Sequence, residues 1–355
     1  MSHPLEKARA LASKQGLGGI LTLSPIYLRY LTGLSMSRGT LLIGPKKASL
    51  FIDRRYAFAA VTLSPEFEVI VSATSTEENV ALKERLLAVQ GPVGFDPSTI
   101  TVDQFQTLSS LGHQLEPASA LFSELRRPKT PEEISAIQAA CMLCAQGFQF
   151  LLHQIREGIT EIQLVQALKA FWFINGAESL SFDPIIAFGP NSACPHWIPS
   201  AFALTKNSPV LIDIGVSVGG YHSDMTRTLF FGRPDPELEV CKAVVLEAYR
   251  RAEEKAVPGM TPFQLDSVAR EYISSEGYGE YFVHGLGHGV GLQVHEPPRI
   301  SATAPDEPAL QVGDVITIEP GIYLPGRGGV RIENTVVIER TCARSLIPVP
   351  LEVRL

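Results

Sequence analysis

The sequence predicts a smaller α/β domain followed by a larger α+β domain that is built twice over. Three observations lead there: strand and helix patterns alternate in the first third, the texture changes near residue 125, and an internal repeat follows. With 355 residues, 45% of them hydrophobic, the chain is long for one core, and two domains are expected, 1–124 and 125–355. In the first region "GGILTLS", "GTLLIGP", "ASLFIDRRY", "FEVIVS" and "GPVGFDP" read as strands or strand ends and "ENVALKERLLAV" as a helix. The opening "MSHPLEKARALASKQG" reads as an amphipathic helix without the continuous apolar stretch of a secretory signal. Asp53, Arg54 and Arg55, charged and at a strand end, read as solvated or ion-paired.

At "LRRPKTPEEISAI" a helix begins, with Thr130 as N-cap, Pro131 in the first helical position and Glu133 completing a capping box. Ile134, Ile137, Cys141, Cys144, Phe148, Leu151 and Ile155 follow at three- and four-residue steps, one buried face of an amphipathic helix. Beyond it "GITEIQLVQAL" from Gly158 and "GMTPFQLDSVA" from Gly259 share Gly, Thr, Gln and Leu at equal offsets of 101 residues. Each follows a long helix, opens a shorter one, and leads into a strand-rich stretch, 182–231 and 282–339. Two helices followed by strands, present twice, imply a pseudo-twofold domain with a joint curved sheet backed by helices.

Composition narrows the function. A net charge of −7 with acids and bases interspersed offers no basic tract for nucleic acid and no polybasic membrane patch. No segment reaches ~18 uninterrupted apolar residues, so no membrane span is expected. Five cysteines at irregular positions argue against a disulfide framework and suit a reducing compartment, the cytoplasm. Small molecules, peptides or further copies of the chain remain as partners.

The polar residues on the strands carry the chemistry. "SPVLIDIGVSVGGYHSDMTRTLFF" reads as two strands joined at Gly219-Gly220. That turn sets position 218 opposite 221, Asp213 opposite Thr226 and Asp224 opposite Gly215. Asp213 and Asp224 then share a face as diagonal neighbours, roughly 7–8 Å apart at Cα. Two acids that close repel unless they are solvated at a surface or a cation lies between them. Asp213 sits in the apolar run "VLIDIGV", which favours the cation. In "DVITIEPGIYLPGRGGVRIENTVVIE", Glu319 and Glu333 again stand where hydrophobic residues are expected, with Arg327 and Arg331 as alternative ion-pair partners. Glu333 before Thr335 echoes Asp224 before Thr226. "HGLGHGVGLQVHE" adds three histidines interleaved with glycine, too flexible for an ordinary helix. Four carboxylates and His288 suffice for two divalent first-row ions and a shared water, and the imidazole disfavours calcium. The reaction class is hydrolysis; the scarcity of basic surroundings favours an acyl or peptide bond over a phosphodiester.

With these residues assembled, the chain resembles the pita-bread metallopeptidases, in particular the Xaa-Pro group of aminopeptidase P and prolidase. The motifs are "FGPNSACPHWIPS", "LIDIGVSVGGYHSDMTRT", "HGLGHGVGLQVHE", "ITIEPGIY" and "GGVRIENTVVI". The first region resembles that group's N-terminal, creatinase-type domain more loosely. The resemblance implies that Asp213 chelates one metal, Asp224 and Glu333 bridge, and His288 with Glu319 hold the second. It implies that His196 and His295 flank the scissile bond, that His284 lines the proline-side pocket, and that Glu319 accepts the water's proton. It further implies manganese, with cobalt or zinc as alternatives, and a homodimer. Arg331 is a candidate for a substrate carboxylate. Cys194 and Asn334 depart from the usual pattern without removing a ligand. The expected reaction is release of the residue before proline in the second position of a peptide, aminopeptidase P type. The alternatives are a prolidase restricted to Xaa-Pro dipeptides and a binding module that has lost its chemistry. A methionine aminopeptidase fits less well, because that family usually lacks so large a leading domain.

Overall fold

The computed structural model describes residues 4–355; Met1, Ser2 and His3, at the start of the expected first helix, lie outside the described residues. The chain divides into two compact units between Arg126 and Arg127. The first has six strands, β1 (Gly19–Thr22), β2 (Thr40–Ile43), β3 (Ala48–Asp53), β4 (Phe67–Ser72), β5 (Val93–Phe95) and β6 (Leu115–Pro117), in one mixed sheet of order β4-β3-β2-β1-β5-β6. Its helices are α1 (Pro4–Lys14), α2 (Pro25–Thr32), α3 (Ala57–Ala60), α4 (Ser75–Leu87), α5 (Val102–Ser110) and α6 (Ser119–Arg126). Two apolar clusters fill this unit, one including Leu5, Ile20 and Phe122, the other Leu21, Phe51 and Leu86. Neighbouring residues of β1 fall into different clusters because successive side chains point to opposite faces of a strand. Arg55 pairs with Asp53 at 2.6 Å on the surface, as the strand-end charges suggested.

The second unit opens on α7 (Pro131–Gln154), whose Thr130 cap and Glu133 form the expected capping box. By length and composition α7 is the one helix among the described residues able to cross a membrane, yet half of its most apolar window is buried in this unit. Ile137, Phe148 and Leu151 are fully buried there, each contributing about 1.5–3 kcal/mol of apolar transfer. Cys141 and Cys144, spaced Cys-x-x-Cys, are buried free thiols, and burial pushes both well above the ordinary thiol pKa.

The remaining helices are α8 (Glu161–Ile174), α9 (Pro236–Lys255) and α10 (Pro262–Ser275). The strands are β7 (Ser179–Leu180), β8 (Ile185–Phe188), β9 (Ser208–Ile214), β10 (Val216–Val218), β11 (Tyr221–His222) and β12 (Met225–Phe231) in the first copy. The second copy holds β13 (Gly287–Gly289), β14 (Glu296–Ile300), β15 (Val315–Ile318), β16 (Gly321–Leu324), β17 (Gly328–Arg331), β18 (Glu333–Ile338) and β19 (Ala343–Ser345). The main sheet runs β14-β13-β15-β18-β12-β9-β8, with β19 on β18. Read outward from its centre, β12, β9 and β8 of one copy mirror β18, β15 and β13 of the other, which is the duplicated α+β arrangement expected from the sequence.

Antiparallel pairing of β12 with β18 forms the pseudo-twofold seam, Met225 opposite Asn334 and Thr226 opposite Glu333. Arg227, fully buried, ties the seam together. Its donors reach the carbonyls of Thr226, Glu333, Val349 and Pro350 and the Asn334 side chain at 2.6–2.8 Å. Burial lowers its pKa to about 10, so it stays charged at neutral pH with every N–H satisfied. Asn334 is thereby an acceptor for a buried cation.

Candidate metal centre and substrate cavity

The first two acids are positioned by one continuous hairpin register. Val218 pairs with Tyr221 across the Gly219-Gly220 turn and Thr226 pairs with Asp213, as expected. Between those pairs the hairpin leaves one sheet for another at Gly215, where Ser223 N still donates to Val216 O at 3.1 Å. A side chain at Gly215 would start 2.3 Å from the Ser223 carbonyl oxygen, so only glycine fits the switch. Asp213 and Asp224 therefore share a face and are both buried, 8% and 4% exposed.

The second copy supplies the facing groups. Glu333 enters β18 opposite Thr226, whose hydroxyl donates to its carboxylate at 2.6 Å. Thr335 answers from the other strand, its hydroxyl donating to the Asp224 carbonyl at 2.8 Å. Glu319 follows β15, accepting from Thr317 Oγ1 at 3.2 Å. Thr317 also accepts from His288 N at 3.0 Å, joining the segments that carry Glu319 and His288. The His288 Nδ1 atom lies 3.1 Å from its neighbour's carbonyl, Gly289 O, so it carries the proton and Nε2 presents a lone pair. That Nε2 lies 3.4 Å from Glu319 Oε1 and 3.6 Å from Asp224 Oδ2.

Ligand atoms of Asp224, His288 and Glu333 lie within 4.8 Å of one another. Burial, then the charges of Glu333, Asp213 and Glu319, pushes the Asp224 carboxyl far above its ordinary range. Burial, then Glu319 and Asp213, does the same to Glu333. Glu319 rises to about 8, mainly by burial, with Arg331 opposing. His288 falls to about 3 through burial and the charge of His295. Asp213 is held by an Arg331 ion pair through Oδ2, while its buried Oδ1 has no hydrogen-bond partner. Crowded acids, a neutral imidazole with a bare Nε2 and an orphaned carboxylate oxygen fit divalent cations, which would neutralise the acids and use the unpartnered atoms.

These residues form one wall of a cavity of about 1030 Å³ that also takes in His196, His284, His295, Trp197, Arg299 and Arg331. The His295 ring meets the His288 ring edge-on, centroids 4.2 Å apart. Burial and the charge of His196 lower the His295 pKa, so it is neutral at physiological pH. His284 and Arg331 line the cavity with their hydrogen-bonding groups already engaged. Arg331 donates to Asp213, to Thr226 Oγ1 at 3.2 Å and to Tyr323 Oη at 2.7 Å. The Tyr323 hydroxyl lies 2.9 Å from His284 Nε2, and His284 Nδ1 lies 2.7 Å from Gly285 O. A carbonyl only accepts, so Nδ1 donates, Tyr323 donates to Nε2, and Arg331 donates to Tyr323.

Sequence reasoning missed Arg299. It lies opposite His288 in the β13/β14 pairing, hence on the same face, and is exposed to the cavity. The two prolines of "EPPRI" obscured a strand whose alternation would have pointed to it. It also missed Thr226 and Thr317 as supports, and Tyr323 as the link between Arg331 and His284.

Comparison with known proteins agrees with this geometry. Residues 135–340 match the model of metallopeptidase family M24, and residues 4–127 match the creatinase/prolidase N-terminal domain. The chain is 36% identical over 354 residues to the Xaa-Pro dipeptidase of Pyrococcus furiosus, covering 98% of each. Among solved structures it is similar to the Xaa-Pro dipeptidase from Bacillus anthracis, with TM-score 0.93 and 33% identity over 99% of each chain. It is also similar to the X-Pro aminopeptidase from Thermotoga maritima, with TM-score 0.87 and 32% identity over 97% of this chain and 99% of that one. A pita-bread catalytic unit, preceded by a creatinase-type domain and carrying a buried acid and histidine cluster, makes this chain a member of metallopeptidase family M24.

Proposed function

We propose that the chain is an Xaa-Pro dipeptidase, a prolidase, using two divalent ions. The single observation that carries the dipeptide reading is Arg299. Among the cations lining the cavity, Lys169 pairs with Asp183 at 2.8 Å and Arg331 pairs with Asp213, whereas Arg299 stands exposed on the same strand face as His288. A dipeptide ending in proline presents a free carboxylate close to its scissile bond, and a guanidinium is suited to receive it. The similar proteins named Xaa-Pro dipeptidase support the same choice. The aminopeptidase P type reaction expected first from the sequence becomes the second reading. The cavity volume keeps it in view, lying at the top of the ~300–1,000 Å³ usual for small-ligand sites.

In this reading Asp213, Asp224, His288, Glu319 and Glu333 would hold the ions. Bound ions of this kind acidify a shared water and polarise the carbonyl under attack. Manganese, with cobalt or zinc as substitutes, suits the mixed carboxylate and imidazole donors. Glu319 takes the water's proton; its hydrogen bond from Thr317 leaves acceptor capacity for that task. His196 and His295 flank the peptide bond. His295, neutral at pH 7, has an N–H to give to the carbonyl oxygen as charge develops there. Proline nitrogen has no hydrogen, so it offers the site no donor and must gain a proton on leaving. His284 borders the proline side by shape, and Arg331 orients Asp213 and Tyr323. The reducing surroundings implied by five free cysteines fit a cytoplasmic reaction, and the homodimer is a matter for light scattering in solution.

The test compares an Xaa-Pro dipeptide, its C-terminal amide and an Xaa-Pro-Xaa tripeptide with the manganese-loaded protein. The dipeptide is cleaved at least tenfold better than either, and Arg299→Met removes that preference by raising KM for the dipeptide alone. Equal cleavage of the tripeptide, unchanged by Arg299→Met, returns the chain to the aminopeptidase reading.

A further inference from the structure

At one of the positions where the two copies of the repeat differ, an acid is exchanged for a proline. "GITE" in the first copy has Glu161 where "GMTP" in the second has Pro262. Glu161 opens α8 and is fully buried. Its carboxylate accepts five hydrogen bonds, all at 2.9 Å. Oε1 takes Phe188 N and Asn191 Nδ2; Oε2 takes Trp197 Nε1, Ser200 N and Ser200 Oγ. Every donor lies on the stretch from Phe188 to Ser200, which carries His196 into the cavity. The helix N-terminus beneath adds favourable potential for the negative charge.

Its first part is anchored by the buried Phe188 and by Ser192 Oγ, which accepts from Gly329 N at 2.8 Å, whereas residues 194–200 have few other supports. Ile198 is 83% exposed, and Trp197 alone reaches inward, packing against the cluster of Ile185, Ala187, Leu211 and Tyr323. Beyond the Glu161 grip, the polar supports of residues 194–200 are Cys194 N to Asn191 O at 3.1 Å, Ile162 N to Ser200 O at 3.1 Å, Phe202 N to Ser200 Oγ at 3.1 Å and a long Arg331 Nη1 to Pro195 O contact at 3.4 Å. A carboxylate whose two oxygens grip opposite ends of one loop fixes the loop's span, and with it the position of His196.

We propose that Glu161 is a positioning residue that sets how substrate is received, acting through Trp197 and the backbone on His196. The kinetic part of this inference rests on the Xaa-Pro reading; the structural part does not. Glu161→Gln is isosteric, but one acceptor oxygen becomes an amide facing donors, so one end of the grip is lost whichever way the amide turns.

The experiment measures Xaa-Pro hydrolysis, metal content and acrylamide quenching of tryptophan emission in the full-length manganese-loaded protein. There are two tryptophans, and Trp172 is fully buried, so accessible quenching reports Trp197. Glu161→Gln is expected to raise KM at least tenfold and to increase the quenching constant at least twofold, with metal content unchanged. A merely structural role would lower the active fraction, hence apparent kcat, and leave KM alone. Should Glu161→Gln not fold, Trp197→Phe removes one donor while keeping an aromatic ring, and its KM rises at least threefold. Wild-type KM and quenching in Glu161→Gln, or wild-type KM in Trp197→Phe where the first variant does not fold, overturns the proposal. If the wild-type protein cleaves no Xaa-Pro peptide, the functional reading fails, and the quenching of Glu161→Gln still decides whether the carboxylate holds the loop.

Discussion

The two copies within the catalytic unit keep the same strand order, mirrored about the β12/β18 seam, but distribute their acids differently. At the seam they match: Asp224 and Glu333 are followed two residues later by Thr226 and Thr335, and each threonine reaches across to the other copy. One strand further out the match slips. Asp213 lies opposite Thr226, and its counterpart opposite Thr335 is Thr317, while the second copy's acid, Glu319, comes two residues later. Two residues along a strand preserve the face, so both acids still approach the cluster. The counterpart of Glu319 in the first copy is Gly215, where a Cβ would meet the Ser223 carbonyl oxygen at 2.3 Å. The outer acid is thus free to move by the strand period, whereas the seam acids are pinned by reciprocal threonines.

Loop support differs in the same way. In the first copy Glu161 holds the His196 stretch directly. In the second, the buried Asp266 of α10 accepts Leu286 N at 2.9 Å and pairs with Arg270 at 2.7 Å. Arg270 in turn donates to the carbonyls of Phe282 and His284. Both copies use a buried carboxylate on their shorter helix to hold a histidine-bearing loop, but one does it alone and the other through an arginine.

The largest expected effect tests the equivalence at the seam. Asp224→Asn and Glu333→Gln should each lower kcat/KM by at least 10³-fold, with less than the wild-type amount of metal retained. The metal-free variants should melt no lower than metal-free wild type, because each removes one of the acids that burial and mutual repulsion disfavour. A loss confined to one of the two would break the symmetry. Next come the threonines, which sharpen it. Thr226→Val strips a donor from the Glu333 carboxylate and should weaken metal affinity by about 10–100-fold. Thr335→Val strips a donor from a backbone carbonyl and should instead cost about 1 kcal/mol of stability, with metal affinity within threefold of wild type. Metal titration and urea unfolding of the pair separate the two outcomes.

The response to acid probes the histidine loop of the second copy. Burial and the nearby Arg331 charge lower the His284 pKa from 6.5 to about 4. Protonation therefore favours the unfolded chain, and the stability held above pH 6.5 drains away as pH falls towards 4. At ~1.4 kcal/mol per pKa unit, and discounting for partial exposure, the loss is on the order of 2 kcal/mol. Its effect on melting temperature is small in a unit of this size. Melting of the metal-free protein at pH 7 and pH 4.5 should show a smaller drop for His284→Gln than for wild type. An identical drop in both would locate the acid sensitivity elsewhere.

Much of this centre was legible before any coordinates. The Gly219-Gly220 turn and period-two alternation set Asp213 and Asp224 on one face, and the Asp-x-Thr and Glu-x-Thr echo fitted the duplication. What stayed hidden were groups whose meaning depends on a partner far along the chain. Arg331 read as a candidate for substrate, yet Asp213, 118 residues away, takes its charge. Arg299 read as nothing in particular until the β14 pairing set it opposite His288.

By itself the sequence determined the two-part organisation, the duplication and the face on which each acid stands, because turns, caps and strand alternation are decided by neighbours within a few residues. Only the tertiary structure decided which guanidinium is engaged, which carboxylate oxygen is left without a donor, and which loop Glu161 grips. Long side chains reach several acceptors at nearly equal local cost, so burial and the distant strand brought alongside select among them.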